Sequence, residues 1–274
     1  MFLALSNVPL TPASLSISPK STHASLFFDH YPVTTVVLSQ YSPHPFIRMI
    51  TSFLYQWSLY LHVIAGFISL TAGLVAMIAR KGQIVHHLAG KWFFAAMTIV
   101  FWTTVLFFLL DPFQIKYHFF MGIAAISYYP VFTGKRVLGW KKGIQITWGD
   151  WIRWGMLAIS GILMLAYGAG HYLGSWNVPN YAPLFLVFGG VSLSNVWGDW
   201  QVFTGRRPFA WLVSHGGKMV GGYSAAVTAF CVNVVPRYLP DQTPMWVYLA
   251  AWIVPGIVIG LVGGRLVRRV AKVK

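Results

Sequence analysis

Residues 55–110 read YQWSLYLHVIAGFISLTAGLVAMIARKGQIVHHLAGKWFFAAMTIVFWTTVLFFLL. Two solidly apolar runs, Tyr55–Ala79 and Leu88–Leu110, flank a short stretch that holds Arg80, Lys81 and two adjacent histidines. Crossing about 30 Å of hydrocarbon takes about 20 helical residues, and each run is long enough. Neither run shows the strict apolar–polar alternation of a membrane barrel strand. A helix satisfies its backbone hydrogen bonds within the span, so the stretch reads as two transmembrane helices joined by a basic turn.

The same reading extends along the chain to Tyr117–Phe132, Trp151–Gly170, Tyr181–Phe203, Trp211–Val235 and Met245–Leu266. The expected fold class is therefore all-α, a polytopic transmembrane bundle of about seven spans. Composition agrees: 57% of residues are hydrophobic, 17% aromatic and only 9% charged, with mean hydropathy +0.62. A soluble fold keeps about a quarter of its residues charged. This chain cannot wet its outside, so lipid is its main partner.

The net charge of +15 invites a nucleic-acid reading, but the placement of the basic residues gives another. Arg80, Lys81 and Lys91 follow span one. Lys135, Arg136, Lys141, Lys142 and Arg153 follow span three, and Arg206, Arg207 and Lys218 follow span five. Arg265, Arg268, Arg269, Lys272 and Lys274 close the chain. All of these fall on one side of an alternating bundle, while the other side has Lys116 and Arg237, with Lys20 and Arg48 near the start. Positive charge stays cytoplasmic, so the N-terminus is expected outside and the C-terminus inside. The charge is thus a topology signal with some attraction to anionic lipid heads, and no nucleic-acid partner is needed.

Residues 1–48 differ from the rest, with six prolines, eight serines and no sustained period. They read as a disordered N-terminal extension, or as one not part of the native chain if Met49 is the start. Residues 49–274 form the transmembrane domain. The lone Cys231 lies within span six, which leaves no intrachain disulfide. Small residues recur every fourth position in Ala65/Ser69/Gly73, Gly217/Gly221/Ala225 and Gly256/Gly260/Gly264, rows that let helix backbones approach closely. Pro255 is expected to kink span seven. No long internal repeat is present.

The tetrapeptide WGDW does occur twice, at 148–151 and 197–200, in a chain with five acidic residues and no glutamate. On the expected topology both copies lie at the cytoplasmic interface, a depth that suits tryptophan. Asp150 falls at a helix N-terminus, where the dipole favours it, three residues before Arg153. Asp199 falls near a helix C-terminal end, where the dipole disfavours it, so it needs a partner. Asn195, Arg206, Arg207 and His215 are the candidates.

Six histidines follow the N-terminal segment. His62, His118 and His171 are expected toward the outer face, and His86, His87 and His215 toward the cytoplasmic one. Two histidine layers in a helical bundle are what a pair of b-type haems requires, each iron taking two axial imidazoles. The inner layer would pair His86 or His87 with His215, and the outer would pair His62 with His118. Gly66 and Gly90, about one turn from His62 and His87, would make room for a macrocycle. The di-haem cytochromes that accept electrons from ascorbate use similar logic on four consecutive spans, but here the fourth offers Asp150 and no inner histidine. A polar interfacial role accounts for His118 and His171 equally.

Two stretches, LHVIAGFISLTAGLVAMIARKGQIVHHLAGKWFFAAM and WGDWQVFTGRRPFAWLVSHGGKMVGGYSAAVTAF, resemble the bacterial membrane proteins grouped as domain of unknown function 2306. The resemblance covers roughly residues 55 to 233. It implies a multispanning fold, placement in a bacterial inner membrane, and His62, His87, Asp199, His215, Met219 and Tyr223 as motif positions. It implies no reaction, and no enzymatic class follows from the residues either.

Three functional expectations result. The first is a redox component holding haem b among spans one, two, three and six, with a quinone or another redox partner. The second is a carrier for a small or protonatable solute, with Asp199 and His215 titrating, Asn195, Ser192 and Ser194 along the path, and Tyr223 as a supporting group. The third is a scaffold without chemistry, or a hydrolase whose metal is held by aspartate and histidine near one plane.

Overall fold

The computed structural model describes residues 45–176, 181–240 and 243–272. The histidines at 23, 30 and 44, and nearly all of the expected N-terminal extension, lie outside them. Among the described residues the chain is all-helical, with seven long helices and no strand. They are α1 (Pro45–Ile78), α2 (Ile84–Leu110), α3 (Ile115–Val137), α4 (Trp148–Tyr172), α5 (Ala182–Phe203), α6 (Trp211–Val234) and α7 (Met245–Lys272). Each expected apolar run lies on one of them. The first helix starts at Pro45, about ten residues before the expected run, and apolar side chains extend there too, with Phe46, Met49, Ile50, Phe53 and Leu54 exposed.

Three hairpins, α1–α2, α4–α5 and α6–α7, surround a central crossing of α3 on α6. Helix α3 also touches α2, α4 and α5. Four helices are long and apolar enough to cross a membrane: Met49–Ile78, Ile84–Leu110, Trp148–Tyr172 and Trp246–Ala271. These fit an integral membrane protein, and they turn apolar side chains such as Trp57, Ile64, Trp102, Ile159 and Leu261 outward. The other three, α3, α5 and α6, each bury one face, with Phe119, Phe185 and Tyr223 inside, and expose fewer large apolar residues.

The small-residue rows are borne out on α1, where Ala65, Ser69 and Gly73 are buried, and in part on α7, where Gly256 meets Ser224 and Thr228 while Gly260 and Gly264 meet nothing within 4 Å. A β-carbon on Gly73 would collide with the Tyr223 ring. On α6 the close approaches run through Gly216 and Gly222, against Val267 of α7 and Val131 of α3, while Gly217 and Gly221 are exposed. Helix α6 is gripped from two sides, so its contact faces lie to either side of the expected row.

Three apolar clusters stack along α3. Phe119 packs with Met164, Phe185 and Trp252 at one end. Val131 packs with Phe93, Met97 and Tyr223. Ile126 and Tyr129 pack with Leu157 and Val196 on the other flank. Pro130 lies inside α3, beside Tyr129. It has no N–H to give the carbonyl one turn back, which weakens the helix there.

Candidate functional site

Both WGDW aspartates point inward and both are held from α3. In each copy the first tryptophan faces out, Trp148 being 85% and Trp197 58% exposed. Asp150 completes a capping box at the start of α4, accepting hydrogen bonds from the Thr147 backbone N–H and hydroxyl at 2.8 Å each. Arg136 of α3 reaches it at 3.3 Å and Arg153 at 3.1 Å. Arg136 also donates to the Gln145 carbonyl at 2.9 Å, fastening the α3–α4 loop. The helix terminus and two guanidiniums account for Asp150 in full, as a structural clasp.

Asp199 is held by a different set. The Lys218 ammonium of α6 donates to both carboxylate oxygens, at 2.8 and 2.6 Å, and the Tyr129 hydroxyl of α3 donates to Oδ2 at 2.6 Å. The Lys218 and Asp199 side chains are only 15% and 13% exposed. The ammonium lies 5.3 Å from the centroid of the Tyr129 ring. One ion pair with one phenol therefore ties α3, α5 and α6 together where α3 carries its proline. Tyr129 and Arg136 are two helical turns apart on one face of α3, about 10 Å along the axis, so a single helix face serves both aspartates.

None of the expected partners of Asp199 reaches it. Arg206 stacks 4.2 Å from the Trp200 ring centroid, and Arg207 is exposed. Asn195 donates to the Val191 carbonyl of its own helix at 2.8 Å. The His215 ring pairs through Nδ1 with the Gly134 carbonyl of α3 at 2.8 Å. Lys218, read from sequence as a loop cation, lies inside α6 one turn beyond His215. The signal that could have found it is its place between Gly217 and Met219, in a run that stays helical on both sides. The expected supporting phenol, Tyr223, is a buried packing residue facing Gly73 and Phe93, and Tyr129 fills the phenol position instead. Ser192 is fully buried against Gly161 of α4, and Ser194 is exposed, so the serines do not line one path with Asn195.

The histidines fall at two ends of the bundle. His86 bonds through Nδ1 to the Ala76 carbonyl at 2.9 Å, at the end of α1 that Lys81 also caps by donating to Ala76 and Met77. Burial beside that helix end lowers the Lys81 ammonium from its ordinary range. His87 is exposed, with its ring 5.9 Å from that of His86. At the other end, His62 bonds through Nδ1 to the Thr103 hydroxyl at 2.8 Å. That hydroxyl also lies 2.8 and 2.9 Å from the carbonyls of Ile99 and Val100, which compete for its single proton. His118 bonds to the Gln114 carbonyl at 3.2 Å and packs on Phe108 and Tyr167. The levels of His86 and Thr103 are about 25 Å apart along α2.

A carbonyl only accepts, so His86, His118 and His215 carry a proton on Nδ1, and each keeps Nε2 as the ligating nitrogen. That is the tautomer an axial or metal ligand needs. Gly66 and Gly90 have no atom within 4 Å of an added β-carbon, which leaves space beside them. His62 and His118 nevertheless sit in separate surroundings, against Phe107 and Phe108 respectively. Among the described residues no three His, Cys, Asp or Glu side chains come together as a metal site, so the hydrolase reading gains no ligand set.

Comparison with family models, with curated proteins and with solved structures finds no match to this chain.

Proposed function

We propose that this protein is a membrane carrier for a small or protonatable solute, with the Asp199–Lys218–Tyr129 cluster as its working centre. The observation that carries the reading is the ion pair itself. Burying two charges among apolar helices is costly, and an ionisable residue kept at such a place generally serves function. Here the pair also bridges three helices and sits beside Pro130, the weak point of α3. Protonating Asp199 removes the charge that holds Lys218. The ammonium and the Tyr129 hydroxyl are then free for acceptor atoms of a solute, and α5 is released from α3 and α6. His215, one turn from Lys218 and held by Gly134, is the neighbouring titratable group.

The carrier reading takes all seven helices as spans, with the N-terminus outside and the C-terminus inside. Supporting this, α3, α5 and α6 have 23, 22 and 24 residues, each enough to cross a bilayer. The cations crowd one end, with Arg80, Lys135, Arg136 and Arg206 beside the turns there. The motif positions His62, His87, Asp199, His215, Met219 and Tyr223 are the basis for kinship with domain of unknown function 2306 and a bacterial inner membrane.

Proteoliposomes carrying a pH-sensitive dye test the carrier. Flux of protons or of added solutes is expected to depend on pH, to vanish in Asp199→Asn and to persist in Asp150→Asn. Flux unchanged in Asp199→Asn, or none with any solute, would remove this reading. If Asp199→Asn costs stability alone, the cluster is a scaffold clasp.

The shared Nδ1–H tautomer favours a second reading, a haem b redox component. His86 with His215 would hold a haem, whereas His62 and His118 lie in separate surroundings. Bound haem would supply one-electron transfer, with quinone as a partner for the electrons. Spectra of protein purified with haem present decide it: a Soret band and a sharp reduced α band support the reading, and their absence ends it.

A further inference from the structure

Lys81, His86, Lys141 and His215 come from separate segments and converge at the end of the bundle where α1 turns into α2. Helices α1, α2 and α6 meet at Gly73, Phe93 and Tyr223, with Met77 and Met219 packed on the same cluster. Toward that end, His86 lies two turns of α2 beyond Phe93, and His215 just over two turns of α6 beyond Tyr223, each about 10–12 Å along its axis. The two histidines thus cover one apolar floor. Lys81 joins them from the α1 side, where its ammonium and His86 Nδ1 donate to the same Ala76 carbonyl, at 2.8 and 2.9 Å. Lys141, from the α3–α4 loop, lies 4.9 Å from the centroid of the Trp211 ring, one turn before His215. His215 stands within electrostatic reach of His86, Lys141 and Lys81, and no aspartate is among the charges acting on it or on His86.

Lysines gathered beside imidazoles with no acid among them repel one another. The described aspartates are committed elsewhere: Asp150 to Arg136 and Arg153, Asp199 to Lys218, and Asp111 at the far end of α2. An anion from outside the chain removes that repulsion, and the unused hydrogen-bonding positions specify its chemistry. Lys81 gives protons to the Ala76 and Met77 carbonyls and has a third to offer, while Lys141 is exposed. His86 and His215 spend their Nδ1 protons on carbonyls, so the neutral rings present Nε2 as an acceptor. Acceptor oxygens for lysines and a hydroxyl for an imidazole occur together on phosphate, which keeps an O–H at neutral pH. Sulfate and chloride have none.

We propose that Lys81, His86, Lys141 and His215 form a binding site for a phosphate group that retains an O–H, its oxygens accepting from the ammoniums and its hydroxyl donating to an imidazole Nε2. Helices α2 and α6 start beside it without a side-chain cap, so their positive ends favour the same anion. All the site's side chains keep some exposure, which opens it to free phosphate and to the phosphomonoester of a lipid such as phosphatidic acid. The site uses none of Asp199, Lys218 and Tyr129, and binding there does not depend on the carrier reading.

Equilibrium dialysis of the full chain in phosphatidylcholine nanodiscs, with radiolabelled inorganic phosphate at neutral pH, tests it. Saturable binding is expected, displaced by unlabelled phosphate at concentrations about tenfold or more below those that sulfate needs, because sulfate leaves the imidazole unpaired. Lys141→Ala and His215→Ala are each expected to weaken binding about tenfold or more. Nanodiscs containing phosphatidic acid separate the two sources: label displaced there assigns the site to a lipid headgroup, and label retained assigns it to free phosphate. No saturable binding, sulfate competing as well as phosphate, or binding unchanged in both variants would overturn the proposal. The sulfate comparison uses the native chain, so it decides even if His215→Ala fails to fold.

Discussion

Replacing Asp199 by Asn keeps the shape of the side chain and removes one charge. In the native chain that charge receives the Lys218 ammonium on both oxygens and the Tyr129 hydroxyl on one. Breaking a buried pair by removing one partner costs about 3–5 kcal/mol, because the other charge is left uncompensated. The two side chains keep 15% and 13% of their exposure, which places the effect at the lower end, about 3 kcal/mol. Lys218→Met is expected to cost a similar amount, since Asp199 keeps only Tyr129. Asp199→Asn with Lys218→Met removes both charges together, so its cost should stay near about 3 kcal/mol, far below the sum of the two. The coupling then comes to about 2–3 kcal/mol, well above the roughly 0.5 kcal/mol expected of independent sites. Unfolding free energies in mixed micelles, followed by tryptophan fluorescence, supply the four corners of the cycle. Additivity within about 0.5 kcal/mol would refute the view that these residues act as a unit.

Gly73→Ala forces a β-carbon into the buried Tyr223 ring and should destabilise by about 1–3 kcal/mol in the same assay. Gly66→Ala and Gly90→Ala meet nothing within 4 Å and should be neutral or stabilising by up to about 1 kcal/mol. If those alanines abolish a Soret band that the parent protein shows, the haem reading gains support; an unchanged band shows that no macrocycle rests on either glycine. Asp150→Ala removes the capping box and the partner of two arginines, and should cost about 1–2 kcal/mol with solute flux kept. For Asp111, burial raises the folded-state value, so the folded chain binds the proton more tightly than the unfolded chain. Its contribution is full below the unfolded value near 3.8 and is lost as pH rises through the folded one. Asp111→Asn should remove that slope from a stability-versus-pH curve.

The helices were legible because lipid demands long apolar runs, and those runs mark themselves without tertiary context. Asp150 was legible for a local reason, since a helix N-terminus and Arg153 are both near it in sequence. Asp199 was recognisable as needing a partner, but which partner depends on how α6 is turned against α3. That rotation is set by Gly134, Gly222 and Val131 at their crossing, and no sequence period reports it. From sequence Lys218 therefore reads with the loop cations, and Tyr223 reads as the phenol where the structure has Tyr129. The histidine levels follow from chain position along the spans. Their tautomers do not, because those depend on which carbonyl or hydroxyl each ring meets.

The proposed seven-span arrangement, with the basic end taken to face the cytoplasm, underlies every membrane depth argued above. In a Cys231→Ser background, single cysteines at Lys135→Cys, Arg206→Cys and Lys116→Cys can be labelled from one side with a membrane-impermeant maleimide. The account predicts that positions 135 and 206 react from the cytoplasmic side and position 116 only from the other. Positions 135 and 206 facing opposite compartments would contradict it.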